Sequence, residues 1–133
     1  MDFVSRYAPY GLGLLRITTA LLFLQHGLVK LFGFPPDAAP GPQPLLSLLG
    51  VAGVIETVTG LLLVLGLFTR PAAFVAAGFS AAAYWYAHGT QSFYPIVNQG
   101  ELAALYCFVF LYLFLAGPGA FSIDSRRTRN GIG

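Results

Sequence analysis

Four long apolar stretches fill most of this 133-residue chain and limit what it can fold into. They cover about residues 10–32, 45–68, 71–88 and 101–116. Each is long enough and poor enough in charge to cross about 30 Å of hydrocarbon. Only 9% of all residues are charged, whereas a soluble domain carries about 25%. We therefore predict an all-α integral membrane bundle with four transmembrane helices, forming a single domain over residues 1–133, because barrel strands would be short and alternate in polarity.

Proline and glycine separate the four stretches. The segment FGFPPDAAPGPQP follows the first stretch, LFTRP follows the second, and GTQSFYPIVNQG follows the third. Gly-Pro-Gly at 117–119 ends the fourth, and a polar tail over 120–133 comes after it. A helix does not continue through such segments. The cluster Tyr84, Trp85 and Tyr86 at the end of the third stretch is typical of a membrane-interface anchor.

The basic residues predict the orientation of the bundle. With four spans, the two termini and the turn between the second and third helices lie on one side of the membrane. That side carries most of the arginines, namely Arg6, Arg70, Arg126, Arg127 and Arg129. Lys30 is the basic residue of the opposite side. Because cytoplasmic loops are enriched in Lys and Arg, we predict that both termini are cytoplasmic.

Several ionisable residues lie inside the apolar stretches: Arg16, His26, Lys30, Glu56, His88 and Glu101. Such residues are expensive within a membrane and usually face a partner or a cavity. Their depths predict a polar funnel that opens outward. Gly53, Glu56 and Gly60 share one helix face, so a neighbouring helix could approach closely and bury Glu56. The carboxyl group would then either bind a ligand or proton, or form a structural ion pair with Arg16, His26 or Lys30.

The same residues resemble those of a known family. The segment LLRITTALLFLQHGLVKLFGF resembles the opening of DoxX proteins, in which an early Arg is followed by His-Gly-x-x-Lys-x-Phe. GVIETVTGLLLVLGLFTRPAAF looks like their second block, and NQGELAALYCFVFLYLFLAGPGAFSID resembles their last. The blocks cover nearly the whole chain in order. Gln99 departs from the family pattern, in which many members have a second glycine.

The resemblance implies a four-helix protein of the bacterial cytoplasmic (inner) membrane. Family members are often described as oxidoreductases or as subunits of membrane-associated oxidoreductase complexes, and relatives include the quinone-reactive membrane subunit of a thiosulfate-oxidising enzyme. Carried onto this chain, the recurring polar positions of the family are Arg16, His26, Lys30, Glu56, Arg70, His88, Asn98, Glu101 and Asp124.

From these positions we assemble a candidate ligand-binding funnel and a structural set. The funnel residues are His26, Lys30, Glu56, His88, Asn98 and Glu101. The candidates for structural or ion-pair roles are Arg16, Arg70 and Asp124. No catalytic residue can be named. Little favours haem or a metal, because the sequence has no close pair of histidines and no familiar metal spacing.

Three functional hypotheses remain open. The first is a subunit of a redox-linked complex that binds a quinone or a similar amphiphile. It would be at most an oxidoreductase subunit, because no intrinsic redox centre is visible and electrons would come from a protein partner or a bound cofactor. The second is a non-catalytic membrane anchor or assembly module for a redox, stress or metal-handling partner. The third is a small solute-binding carrier. Four helices are few for alternating access, although a homo-oligomer would relax that objection. All three contact the lipid bilayer, and the basic tail is too short to bind nucleic acid.

Overall fold

The computed structural model describes the backbone of residues 2–129 and the side chains of residues 2–127. This part of the chain is helical and contains no strand. In chain order the elements are α1 (Asp2–Ser5), α2 (Ala8–Phe32), α3 (Leu48–Leu65), α4 (Thr69–Tyr84), a π-helix (Trp85–Gly89), α5 (Pro95–Asn98), α6 (Glu101–Ala116) and α7 (Ile123–Arg129). The prediction of an all-helical bundle is confirmed.

Some helix ends differ from the predicted ones for identifiable reasons. Helix α3, the second predicted span, begins at Leu48. The Ser47 hydroxyl accepts a hydrogen bond from the Gly50 amide at 3.1 Å and so forms a regular N-cap. The helix ends at Leu65 because Gly66 adopts a left-handed conformation. Part of the predicted polar tail folds into α7, and residues 130–133 of that tail lie outside the described part.

Helices α2 and α3 form a tightly packed antiparallel hairpin. Glycines lie where the two helices approach each other, as the spacing of Gly53 and Gly60 predicts. A Cβ atom at Gly27 would overlap the Thr57 hydroxyl and lie 2.8 Å from the Gly53 carbonyl oxygen. One at Gly60 would lie 3.0 Å from Leu24 Cβ. Small residues at these positions allow the backbones to approach closely.

Helices α4 and α6 form the second hairpin, and its alanines let the two helices pack closely. Ala73 and Ala76 of α4 are fully buried in the same cluster as Phe110 and Leu113 of α6. Phe23 of α2 joins this cluster, with its ring edge-on to that of Phe110 at a centroid distance of 4.9 Å. The core therefore connects the two hairpins.

The outer surface of the bundle is largely apolar. Helices α2 and α3 are long and apolar enough to cross a membrane, and α6 is a shorter apolar helix. Large hydrophobic side chains project outward along the bundle, including Leu14, Leu61, Phe74 and Phe108. Soluble monomers rarely expose a continuous apolar surface of this kind, so the pattern is that of a helical membrane bundle.

Candidate functional site

A cavity of about 680 Å³ lies between the two hairpins. It is bounded by the N-terminal half of α3 and the C-terminal half of α4, the halves furthest from the turn that joins these helices. Exposed residues Leu48 and Tyr86 border it, so it communicates with the surroundings of the bundle. Most of its wall is aliphatic or aromatic, and a few polar side chains reach it. This is the usual composition of a small-molecule site.

Lys30 and Glu56 meet at the wall of this cavity. Lys30 Nζ donates to Glu56 Oε1 at 2.7 Å, which joins α2 to α3. The side chains are 13% and 7% exposed, respectively. Of the three partners considered for Glu56, the structure thus selects Lys30. The close approach of the helices at Gly27 and Gly53 makes this contact possible.

Both histidines also line the cavity. His26 lies one turn before Lys30, and its ring is edge-on to that of Tyr106 at a centroid distance of 6.0 Å. His88 belongs to the π-helix, and its Nδ1 lies 3.0 Å from the Asn98 carbonyl oxygen. The structure therefore brings four of the six predicted funnel residues to one cavity.

Asn98 and Glu101, the other two predicted funnel residues, do not line the cavity. Asn98 is buried behind it, where Nδ2 donates to the Tyr84 hydroxyl and Oδ1 accepts from the Gly100 amide at 2.8 Å. These bonds organise the loop before α6. Glu101 is the first residue of α6 and is exposed.

Two hydroxyl groups at the cavity were not singled out from the sequence. Ser80 is 2% exposed and Tyr106 is 6% exposed. Within the described residues, neither the Ser80 Oγ nor the Tyr106 hydroxyl has a hydrogen-bond partner. A serine inside a helix usually donates to a carbonyl one turn back, so the sequence offered only a weak signal for Ser80. For Tyr106, no sequence signal separates it from Tyr112, the other tyrosine of the same apolar helix.

Arg16 lies at the other end of the bundle and does not reach the cavity. It is fully buried and binds backbone carbonyl groups rather than a carboxylate. Nε donates to Leu63 O at 2.8 Å, and the guanidinium also donates to Pro118, Ala120 and Phe121. One planar fork thereby ties α3 to the segment after α6. This position indicates that Arg16 stabilises the fold.

Arg70 and Asp124 complete this end. Arg70 Nε donates to the Phe114 carbonyl oxygen at 3.1 Å, near the C-terminus of α6. Asp124 accepts from the amides of Phe68 and Thr69 at 3.0 and 2.8 Å. A carboxylate from α7 therefore caps the N-terminus of α4, where backbone amides lack partners.

The chemistry available at the cavity is binding and hydrogen bonding. Lys30 has three N–H donors, of which Glu56 takes one, so others remain for a ligand. Among the side chains of residues 2–127, no group of three or more His, Cys, Asp or Glu converges to hold a metal ion. The apolar outer surface and the largely apolar chamber with its ion pair define the chain as a helical membrane protein with a candidate ligand site.

Comparison with known proteins identifies the family. Residues 11–89 match the DoxX family model. An uncharacterized protein of Haemophilus influenzae is 43% identical over 133 residues, covering 95% of this chain and 97% of the relative. The inner membrane protein YphA of Escherichia coli K12 is 32% identical over 129 residues, covering 89% and 91%. No solved structure matches. The chain belongs to the DoxX family of membrane proteins.

Proposed function

We propose that this chain is an inner-membrane subunit of a redox-linked complex, and that it binds a quinone or a similar amphiphile in the cavity between its hairpins. The observation that carries the proposal is the Lys30–Glu56 pair at the wall of an otherwise largely apolar chamber. An amphiphile needs an apolar cleft for its body and hydrogen-bonding groups for its head. The cavity supplies both.

The polar groups suit a carbonyl-bearing head. A quinone carbonyl accepts hydrogen bonds, and Lys30 Nζ retains N–H donors beyond the one given to Glu56. The buried hydroxyl groups of Ser80 and Tyr106 are further donors. Phe23 and Phe79 supply aromatic surface for the ring. Electrons would come from a partner protein, and this chain would position the ligand.

The exposed borders of the cavity support entry from the membrane. Leu48 and Tyr86 lie at its edge and are 61% and 73% exposed. A hydrophobic ligand dissolved in the bilayer could therefore enter between α3 and α4 without crossing water. The name of the relative YphA supports an inner-membrane location for this chain as well.

The orientation belongs to the same proposal. Arg6, Arg70 and Arg126 lie toward the end opposite the cavity. The positive-inside rule then places that end in the cytoplasm and the cavity toward the outer side. Single cysteines introduced at Asp37 and Ser5 of a Cys107→Ala variant test this with a membrane-impermeant maleimide. Labelling at residue 37 alone in intact spheroplasts is expected, and labelling at residue 5 alone would reverse the orientation.

The binding proposal is tested on protein purified in mild detergent. Quinones are extracted and quantified by mass spectrometry for the wild type, Glu56→Gln and Glu101→Gln. We expect a quinone near stoichiometric amounts in the wild type and in Glu101→Gln, because Glu101 does not line the cavity. We expect loss in Glu56→Gln. Equal trace amounts in all three proteins would contradict the proposal.

A second candidate function is a non-catalytic anchor for a partner protein. Very exposed apolar side chains in the segments that precede α3 and α6 favour it, namely Leu46, Phe93 and Ile96 at 94%, 85% and 78% exposure. Under this alternative, a partner co-purifies with wild type and Glu56→Gln alike, and a Leu46→Ser/Phe93→Ser/Ile96→Ser variant loses it. A partner that is retained by this triple variant would count against the anchor.

A further inference from the structure

The two walls of the cavity differ in how their polar groups are satisfied. On the α2–α3 wall, Lys30 and Glu56 are paired with each other at 2.7 Å. On the α4–α6 wall, the Ser80 and Tyr106 hydroxyls are buried and have no partner within the described residues. We call these two hydroxyl groups the hydroxyl wall. Buried polar groups normally have hydrogen-bond partners, so two such groups at one chamber require an explanation.

The charges at the cavity constrain what could satisfy the hydroxyl wall. Besides His26 and His88, the titratable side chains that form the α2–α3 wall are one lysine and one acidic residue, whose charges cancel in a salt bridge. A carboxylate, phosphate or ammonium ligand would bring an uncompensated charge into a largely apolar chamber, which is strongly unfavourable. An uncharged head group would not.

We propose that the ligand is an uncharged amphiphile whose carbonyl or hydroxyl head is held by the Ser80 and Tyr106 hydroxyls, beside the electrically neutral Lys30–Glu56 pair of the α2–α3 wall. This inference rests on the proposed function and names the recognising groups and the charge class of the ligand. It extends head-group recognition beyond Lys30 to two residues that the sequence pattern did not indicate. Ser80 Oγ and Tyr106 OH can each donate a hydrogen bond and accept one, so ketone and hydroxyl heads both fit.

The alternative is that both hydroxyls are incidental. A buried serine can satisfy itself by donating to a carbonyl one turn back in its own helix, as Thr59 does here to Ile55 at 2.7 Å. Ser80 does not make that bond. Tyr106 faces the chamber between His26 and Phe110, and a phenylalanine would fill the same space. These observations favour the interpretation that the Ser80 and Tyr106 hydroxyls bind a ligand.

The test measures binding of decylubiquinone to the protein in phosphatidylcholine nanodiscs. The readout is saturable quenching of Trp85, the single tryptophan, whose neighbour Tyr86 lines the cavity. Ser80→Ala and Tyr106→Phe should each weaken binding about three- to tenfold, the usual effect of losing one neutral hydrogen bond. The ligand-free proteins should melt at the wild-type temperature or slightly above, because no internal hydrogen bond is lost.

Matched controls make the same chemical changes elsewhere. Thr57→Val removes another buried hydroxyl that has no partner within the described residues and does not line the cavity. Tyr112→Phe repeats the tyrosine change at an exposed position of α6. Both should bind like the wild type. Undecanoate and decyltrimethylammonium, which carry the same decyl tail with opposite charges, should fail to displace the quinone, whereas uncharged decylhydroquinone should displace it.

The outcomes separate this inference from the proposed function. Saturable binding that Ser80→Ala and Tyr106→Phe leave unchanged overturns the hydroxyl wall and keeps the cavity as a quinone site. Displacement by either charged analogue overturns the inference that the ligand is uncharged. Absence of saturable quenching in the wild type overturns the proposed function, and this inference with it.

Discussion

Lys30 Nζ lies 2.7 Å from Glu56 Oε1, and this salt bridge joins the two helices of the first hairpin at the wall of the cavity. Both side chains are mostly buried. The pair therefore holds the hairpin together and also sets the charge of the chamber. The contribution of each partner to the free energy of unfolding can be measured.

Removing one partner should destabilise the protein more than removing both. Lys30→Met leaves the Glu56 carboxylate buried without its cation, which costs roughly 3 kcal/mol. The double variant Lys30→Met/Glu56→Leu should recover most of that loss, because two apolar side chains replace a desolvated pair. Unfolding free energies from SDS titration in mixed micelles give the coupling free energy between Lys30 and Glu56. Strictly additive losses would show that the two groups do not interact.

Arg16 should be required for stability rather than for ligand binding. It donates to carbonyl groups of Leu63, Ala120 and Phe121, so Arg16→Met leaves several buried acceptors without partners. Hydrogen bonds to charged groups contribute about 1.5–3 kcal/mol each, and we expect a loss of at least about 3 kcal/mol. Arg16→Lys should recover little of it, because an ammonium cannot reproduce the planar fork.

The control for Arg16 is Arg6→Met, since Arg6 is exposed and bonds only its neighbour Tyr7 among the described residues. It should unfold like the wild type in the same SDS titration. A loss of stability in Arg16→Met no greater than that in Arg6→Met would contradict the structural role of Arg16.

The carboxylate of Asp124 should stabilise the start of α4. Both oxygens accept from backbone amides, at Phe68 and Thr69. Asp124→Asn keeps one acceptor and presents an NH₂ group to the other amide, so we expect a loss of about 1 kcal/mol, typical of an N-cap. Thermal unfolding in detergent measures it, and Asp37→Asn in the exposed loop serves as the unaffected comparison. Equal melting temperatures for the two variants would refute the cap.

Gly27 should tolerate no side chain. A Cβ atom there would meet the Thr57 hydroxyl and would lie 2.7 Å from the Thr57 amide nitrogen, so Gly27→Ala must push α2 and α3 apart. The expected loss is about 1–3 kcal/mol. Gly78→Ala is the matched change at a glycine with no atom within 4 Å of the added Cβ, and it should be neutral or stabilising. A neutral Gly27→Ala would contradict the close packing of this hairpin.

Local patterns predicted the helices and the small-residue face, because these depend on residues close in sequence. Apolar length indicated the long helices, and the spacing of Gly53 and Gly60 indicated where a neighbour approaches. The partner of Glu56 could not be chosen, because Arg16, His26 and Lys30 were all plausible by depth. That choice depends on how α2 rotates against α3.

Local sequence patterns could not predict contacts between segments that are far apart in the chain. The segment after α6 folds back so that its carbonyl groups surround Arg16, and Asp124 reaches the start of α4. Neither relation has a periodic signature. Ser80 and Tyr106 were missed for a related reason. A hydroxyl without a partner is recognisable only when its surroundings are known.

The cavity between the hairpins is expected to hold a membrane-soluble ligand. The most direct measurement is photo-crosslinking of a tailed azidoquinone to the wild type in membranes, followed by peptide mapping. We expect labels on cavity residues such as Ile55, Ala83 and Ala103, and excess unlabelled decylubiquinone should prevent this labelling. Labels spread over lipid-facing residues such as Leu14 and Phe108, and insensitive to competitor, would contradict it.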